Sequence, residues 1–348
     1  MTDSLAAGDG GDDGGDGDED RDEDRDGAAA FVATRPKLFG VAYRMLGSVV
    51  EAEDVVGDVA ERWTAADRSS VRVPEAWLVT ATTRRALDVL RSARIRREQY
   101  TGVWLPEPVA TGDDPGDALE RPETLAMGFL LLLERLTPLE RAVFVLHDVL
   151  DYGHRDIAAM LDRSEDSSRQ ALHRARRHVT APEPRTEADR AEAHRIAEQF
   201  LVAGTSGDVD QLVACLAEDI VVTSDGGGVV YASMRPVTGR VRVARYLLNL
   251  GQRIADDIAV VPIELNGTPS FVLYGSGQWV ALVVEAEGGL VHRIHAVVHP
   301  GKLQRLVASL PESSGRPGPW DSPGRFRHRR GGRVAEGDQA PPDQSVVR

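Results

Sequence analysis

The run Ser164-Glu165-Asp166-Ser167-Ser168-Arg169-Gln170-Ala171-Leu172-His173-Arg174-Ala175-Arg176-Arg177-His178 contains neither proline nor glycine and crowds multidentate hydrogen-bonding groups onto one predicted helix. Arginine forks match guanine edges and phosphates, and glutamine matches adenine, so Arg169, Gln170, His173, Arg174 and Arg177 are candidates for reading DNA. Just upstream, His154–Leu161 forms a shorter helix with Ile157, Ala158 and Leu161 on its apolar side, and Asp162-Arg163 is the tight connection. This is helix-turn-helix geometry, in which the second helix enters the major groove.

A second basic cluster packs Arg84, Arg85, Arg91, Arg94, Arg96 and Arg97 into a stretch where Asp88 is the one acid. Guanidiniums so close repel one another, and a polyanion such as a nucleic-acid backbone is their natural partner. An acidic counterpart precedes it. Asp54, Asp58 and Glu61 are spaced i, i+4, i+7 and share one helix face, which would repel DNA and suits a basic protein surface.

These groups need rigid elements beneath them. Leu38, Val41, Ala42, Met45 and Leu46 recur with helical period up to Gly47, a second helix opens after Ser48 and carries the acids to Trp63, and a third opens at Pro74 and runs through Trp77, Leu78, Ala81, Leu87 and Leu90. Residues 31–100 therefore form a small all-α domain. Residues 101–122 are rich in Pro, Gly and Asp and read as a linker whose apolar island is Trp104-Leu105-Pro106-Glu107-Pro108. Helices resume as Leu125–Leu136, Pro138–Leu150 and the helix-turn-helix pair, giving a second all-α domain over 123–181. From 187 to 310 the pattern is α+β: helices at Ala188–Ala203, Val209–Leu216 and Arg242–Arg253, and strands at Ile220–Thr223, Val229–Ser233, Ala259–Leu265, Ser270–Gly275, Trp279–Ala286 and Leu290–Val298, expected to form a curling antiparallel sheet.

The formal net charge of −14 over 348 residues is misleading about partners. Residues 1–30 alone hold twelve acids against Arg21 and Arg25, a net of −10, with almost nothing apolar, so this segment reads as a disordered acidic tail. A second disordered tail is expected over 313–348, with a basic cluster at Arg325, Arg327, Arg329 and Arg330. Cys215 is the single cysteine, which excludes an internal disulfide and a cysteine-based zinc site, and neither a secretory leader nor an apolar span of about 18 residues is present. A cytoplasmic protein without metal or cofactor is the expectation.

In this order, these features resemble the extracytoplasmic-function sigma factors of bacterial RNA polymerase. Arg35-Pro36-Lys37-Leu38-Phe39-Gly40-Val41-Ala42-Tyr43-Arg44-Met45-Leu46-Gly47-Ser48, with Ala52-Glu53-Asp54-Val55-Val56 and Trp63, is similar to the family's region 2 core. Trp77-Leu78-Val79-Thr80 through Asp88 and Arg91 resembles its promoter-melting, -10-reading helix, and Leu136-Thr137-Pro138-Leu139-Glu140-Arg141-Ala142-Val143-Phe144 through His178 resembles region 4. Trp104-Leu105-Pro106-Glu107-Pro108, Asp225-Gly226-Gly227-Gly228 and His299-Pro300-Gly301-Lys302-Leu303 resemble signatures of a subgroup that carries a fused, cone-shaped SnoaL-like C-terminal domain in place of a separate anti-sigma factor. The chain departs from those signatures at Val229, His299 and Gly301, and Ser167-Ser168 replaces a common Ala-Val, which would put a hydroxyl in the helix-turn-helix core.

The resemblance implies a division of labour. Asp54, Asp58 and Glu61 would dock on core RNA polymerase; Arg84, Arg85, Asp88, Arg91 and Arg94 would hold the opened -10 element of promoter DNA; Arg169, Gln170, His173, Arg174 and Arg177 would read the -35 element. Trp104, Leu105, Pro106, Asp225, Gly226, Gly227, Lys302 and Leu303 would make regulatory contacts between the C-terminal domain and the rest. No catalytic residue is required. For an enzyme in the C-terminal domain the candidate groups are Asp225, His292, Arg293 and His295, but no carboxylate pair with an orienting group is apparent. The glycine run after Asp225 lacks the Gly-Lys-Ser/Thr ending of a phosphate loop and reads as a β-turn or a docking loop. The competing reading is a free-standing helix-turn-helix regulator whose C-terminal domain binds a ligand or catalyses a reaction, which leaves the acidic face and the upstream Arg-rich helix without a purpose.

Overall fold

The computed structural model describes residues 16–111, 122–182, 186–254 and 258–310. The tail assigned to 313–348 and residues 1–15 lie outside them. Helix α1 (Asp16–Leu46) starts well inside the segment expected to be disordered, which is a correction for residues 16–30. The Trp63 indole N–H anchors the helix by donating to the Gly27 carbonyl at 2.8 Å. Gly47 stops α1 at φ +63°. Ser48 then caps α2 (Val49–Thr64), its hydroxyl accepting the Glu51 N–H at 3.2 Å, and Pro74 sits in the first turn of α3 (Pro74–Glu98).

In the second helical block the expected Leu125–Leu136 helix is broken into a 3₁₀ turn, Pro122–Leu125, and a short α4 (Met127–Leu133). The Gly128 N–H, in the first turn of α4, donates to the Glu285 carboxylate at 2.7 Å, a partner that composition cannot reveal. Thr137 and Glu140 form a reciprocal capping box at the start of α5 (Pro138–Phe144), which continues as a π-helical turn, Val145–Val149. Helices α6 (His154–Leu161) and α7 (Glu165–Arg176) complete it. Leu38, Met45, Val55 and Leu78 of the first block share one apolar core with Leu130, Phe144, Ile157 and Leu172 of the second.

The C-terminal part opens with α8 (Glu187–Ser206) and α9 (Val209–Cys215). A six-stranded sheet follows, formed by β1 (Leu216–Asp225), β2 (Val237–Thr238), β3 (Ala259–Leu265), β4 (Thr268–Gly275), β5 (Gln278–Glu287) and β6 (Leu290–Val297), with α10 (Arg240–Ile254) between β2 and β3 and α11 (Pro300–Ser309) at the end. Strand order is β2-β1-β6-β5-β4-β3. The sheet is mixed rather than antiparallel throughout, because β1 and β6 run parallel, with Thr223 opposite His295 and Asp225 opposite Val297. Nor is Val229–Ser233 a strand: the Val229 and Val230 N–H groups fold back onto the Gly226 carbonyl in a turn.

Alternation along the strands gives the sheet two different faces. Val222, Phe271, Val280, Leu282, Val284, Ile294 and Ala296 pack with Ile196, Phe200 and Val243 of the helices. On the other face Val272, Ala281, Val283 and Val297 pack with Leu105 of the linker, Met127 of α4 and Leu303 of α11. The linker is thus part of a core.

Candidate nucleic-acid interface

Helix α7 stands on a fixed base. Ser164 caps it, accepting the Ser167 N–H at 3.2 Å, and Asp162 turns the chain in the left-handed conformation at φ 52°. Ser168 is buried, and its hydroxyl finds a partner in His154 Nδ1 at 2.9 Å. Burial, followed by the charges of His147, Arg169 and Arg176, holds the His154 imidazole below its ordinary pKa. At the other end Arg176 grips the Asp148 carboxylate at 2.9 and 2.6 Å. Arg169, Gln170, His173, Arg174 and Arg177 are all exposed. Two of them are already paired: Arg169 with Glu165 at 2.5 Å and Asp166 at 3.1 Å, and Arg174 with the buried Glu140 at 2.6 Å.

The arginines of α3 have many more intramolecular acceptors than the sequence suggests. Arg84 donates to the Met160 carbonyl at 2.6 Å and the Ala159 carbonyl at 3.2 Å, at the end of α6. Arg85 pairs with Asp58 at 2.5 Å, Arg91 with Asp88 at 3.0 Å, and Arg94 reaches the Leu136 carbonyl at 3.4 Å. Arg96 pairs with Glu51, and Arg97 with Glu134 at 2.6 Å and with the Leu46 carbonyl. Mutual repulsion awaiting a polyanion is therefore not the state of this helix; carboxylates and helix C-terminal carbonyls neutralise much of it. The acidic face is divided accordingly. Asp54 and Glu61 are exposed, whereas Asp58 is half-buried by its pairing with Arg85.

The residues of the three short motifs converge at one junction. Asp225, fully buried at the end of β1, accepts the Tyr100 hydroxyl at 2.6 Å, the Leu105 N–H at 2.8 Å, the Lys302 ammonium at 2.7 Å and the Gly227 N–H at 3.1 Å. Lys302 also donates to the Leu105 carbonyl and lies 4.4 Å from the centre of the Trp104 ring, over which the Arg97 guanidinium also sits, at 3.8 Å. Burial pulls the Lys302 pKa down, and Asp225 restores part of the loss. Burial and then the Asp225 carboxylate push the Tyr100 phenol well above its ordinary value. Gly47 is required here, since a Cβ on it would come within 2.7 Å of the Trp104 ring. Pro106 and Leu303 are on the same junction, Leu303 fully buried.

Several residues take roles at this junction that the sequence does not indicate. Glu107 accepts the Ser48 hydroxyl at 2.8 Å and the Val49 N–H at 2.9 Å, so the linker caps α2. Asn266, in the left-handed region at φ 55°, donates to the Tyr43 hydroxyl at 2.8 Å and the Leu125 carbonyl at 3.0 Å, while its side-chain oxygen accepts the Val109 N–H at 3.1 Å. Asn266-Gly267 is recognisable as a turn; its partners are not. Glu285 joins His295 at 3.5 Å and the Gly128 N–H. Burial alone would raise the Glu285 carboxyl, but His295, the Gly128 amide and Arg293 outweigh it and bring its pKa to about 2.

The candidate enzymatic groups are dispersed. Asp225 and His295 lie on the linker-facing side of the sheet, where Asp225 is saturated with donors and His295 is tied to Thr223 at 2.7 Å and Glu285. His292 and Arg293 border a 490 Å³ groove lined also by Asp189, Glu192, Ile196 and Glu285, the carboxylate that lies 3.9 Å from Arg293 and 3.5 Å from His295, while Asp225 stands apart from them. Among the described residues no group of His, Cys, Asp and Glu has the arrangement of a metal site, and no helix is long and apolar enough to cross a membrane.

Comparison with known proteins agrees with this geometry. The Sigma-70 region 2 family matches residues 30–96 and the Sigma-70 region 4 family residues 127–179. The extracytoplasmic-function (ECF) RNA polymerase sigma factor SigJ of Mycobacterium tuberculosis is 36% identical over 314 residues, covering 86% of this chain and 98% of that protein. The probable ECF sigma factor SigI of the same species is 30% identical over 288 residues, 81% of this chain and 97% of its own length. The crystal structure of M. tuberculosis SigJ superposes with a TM-score of 0.66 at 31% identity, covering 80% of this chain and 98% of that one. With both sigma regions matched in order and a relative similar along nearly its whole length, this chain belongs to the ECF family of RNA polymerase sigma factors.

Proposed function

We propose that this sigma factor is regulated from within, its C-terminal α+β domain setting how the two helical regions are presented to core RNA polymerase and promoter DNA. As a sigma factor it directs promoter-specific transcription initiation. In this reading Asp54 and Glu61, with Asp58 released from Arg85, dock on the polymerase. Arg84, Arg85, Asp88, Arg91 and Arg94 engage the -10 element, and α7 engages the -35 element. A separate anti-sigma factor is then unnecessary, and the site of action is the cytoplasm.

The observation that carries the regulatory role is the Asp225 junction, where one buried carboxylate collects a hydroxyl from the end of region 2, an amide from the linker and an ammonium from α11. A tethered domain with such a contact acts at high effective concentration. The test is in vitro transcription with purified core enzyme, comparing the full chain, a form ending before residue 187, and full-length Asp225→Ala. Promoter-selective transcription by the full chain with altered output from both variants supports the proposal. Equal output from all three would discard internal regulation, and absence of promoter selectivity in the full chain would discard the residue roles as well.

A further inference from the structure

Which side of α7 faces the bases follows from its packing. Ser168, Ala171, Leu172 and Ala175 are its buried stripe. At about 100° per residue, the direction opposite that stripe falls on Asp166, Gln170, His173 and Arg177, all of them exposed. Arg169 and Arg174 lie to either side of this line. Arg174 is also engaged by the buried Glu140 carboxylate of α5, whereas the pairs of Arg169 with Glu165 and Asp166 on its own helix are solvent-exposed and weak.

We infer that Asp166, Gln170 and His173 form the base-reading line of α7, with Asp166 selecting a cytosine, and that Arg169 and Arg174 are phosphate-contacting flanks. The inference rests on the assignment of α7 to the -35 element and names what it reads there. N-terminal residues of a recognition helix are those that reach base edges, and Asp166 stands in the first turn. A carboxylate has acceptors only, so it pairs with the cytosine N4 amino group and is repelled by the guanine O6 and N7 acceptors. Gln170, one turn on, offers the donor and acceptor that adenine needs. Glu140 is different in kind from a free partner. It is buried beneath Arg174 and engaged in the Thr137 cap, so the guanidinium is tethered through Nε at the edge of the helix with its outer amino groups exposed.

Asp166 contributes little to the fold, because its pair with Arg169 is solvent-exposed on both sides. Its substitution is therefore a clean probe. The experiment is transcription by holoenzyme assembled from the full chain and core polymerase, on a promoter library randomised through the -35 element, with co-elution on core enzyme as the check of folding. The wild-type protein is expected to prefer cytosine at one position. Asp166→Asn, which swaps an acceptor pair for a donor and an acceptor, is expected to move that preference to adenine, with a change in the cytosine-to-adenine ratio of roughly 5- to 100-fold. Gln170→Ala should flatten a neighbouring adenine preference, and Arg174→Ala should lower all templates by a common factor with a shallower salt dependence. A wild-type profile without a cytosine preference overturns the inference. So does an Asp166→Asn profile identical to wild type, or a change of base preference produced by Arg174→Ala instead. A wild-type holoenzyme indifferent to every -35 base would be a distinct outcome, removing the assignment of α7 itself.

Discussion

Asp225 and Lys302 meet 2.7 Å apart with the carboxylate wholly buried and the ammonium nearly so, and this pair is where the C-terminal domain holds the linker. Removing one partner of such a pair strands the other in a low-dielectric site. Asp225→Ala is expected to cost about 3–5 kcal/mol, and the Asp225→Asn, Lys302→Met double variant distinctly less than the single. Urea denaturation measures both. Equal losses in the single and double variants would show that the pairing itself is not what stabilises the junction.

Asn266 binds three segments distant in sequence while adopting a left-handed backbone. Asn266→Ala is expected to destabilise by about 2–4 kcal/mol, since it leaves buried groups unpaired and adds backbone strain. Hydrogen exchange locates the effect: the Val109 and Thr111 amides, which bond to Asn266 and Glu264, should lose protection first. Unchanged protection there would detach the turn from the linker's order.

Acid should loosen the contact between α4 and the sheet. The Glu285 carboxyl sits at about 2 in the fold against an ordinary 4.5, so its contribution is fully present above about pH 4.5 and is lost as pH falls toward 2. The amount at stake is of the order of 3 kcal/mol. Urea midpoints followed from pH 5 to pH 2 should fall, and Glu285→Gln should lower the plateau and flatten that portion of the curve. An unflattened curve would assign the acid sensitivity to other carboxylates.

The two exposed members of the acidic face should behave differently from the third. Asp54→Lys is expected to abolish co-elution with core polymerase while leaving stability within about 0.5 kcal/mol of wild type. Asp58→Lys removes a half-exposed partner of Arg85 as well and should also lower stability, by no more than about 1 kcal/mol given solvent screening. Core binding by Asp54→Lys at wild-type strength would place the docking surface elsewhere.

What the sequence made legible was local chemistry. Ser48 and Pro74 fix helix ends through groups a few residues away, and periodicity identified the buried side of α1. The junction was partly legible, because Trp104, Asp225 and Lys302 stand in short motifs similar to those of known relatives, and a Trp-Leu pair in a polar linker demands apolar cover. The contacts that span the chain were not. Arg84 ends on backbone carbonyls of α6, which have no residue signature, and Asn266 reaches Tyr43 across most of the protein. The parallel pairing of β1 with β6 depends on a crossover, whereas alternation within a strand is the same for either direction. Residues 16–30 read as disordered on composition, yet a helix begun further along can be extended through them once Trp63 holds Gly27.

The shared apolar core of α1–α3 with α4–α7 has a calorimetric consequence. Regions 2 and 4 are separate units by sequence, but their buried apolar residues form one continuous cluster. The sheet and its helices have a cluster of their own. Heating should therefore resolve the molecule into two cooperative transitions rather than three, and native-state hydrogen exchange should find Leu46 in α1 and Leu146 in the π-turn opening with the same free energy.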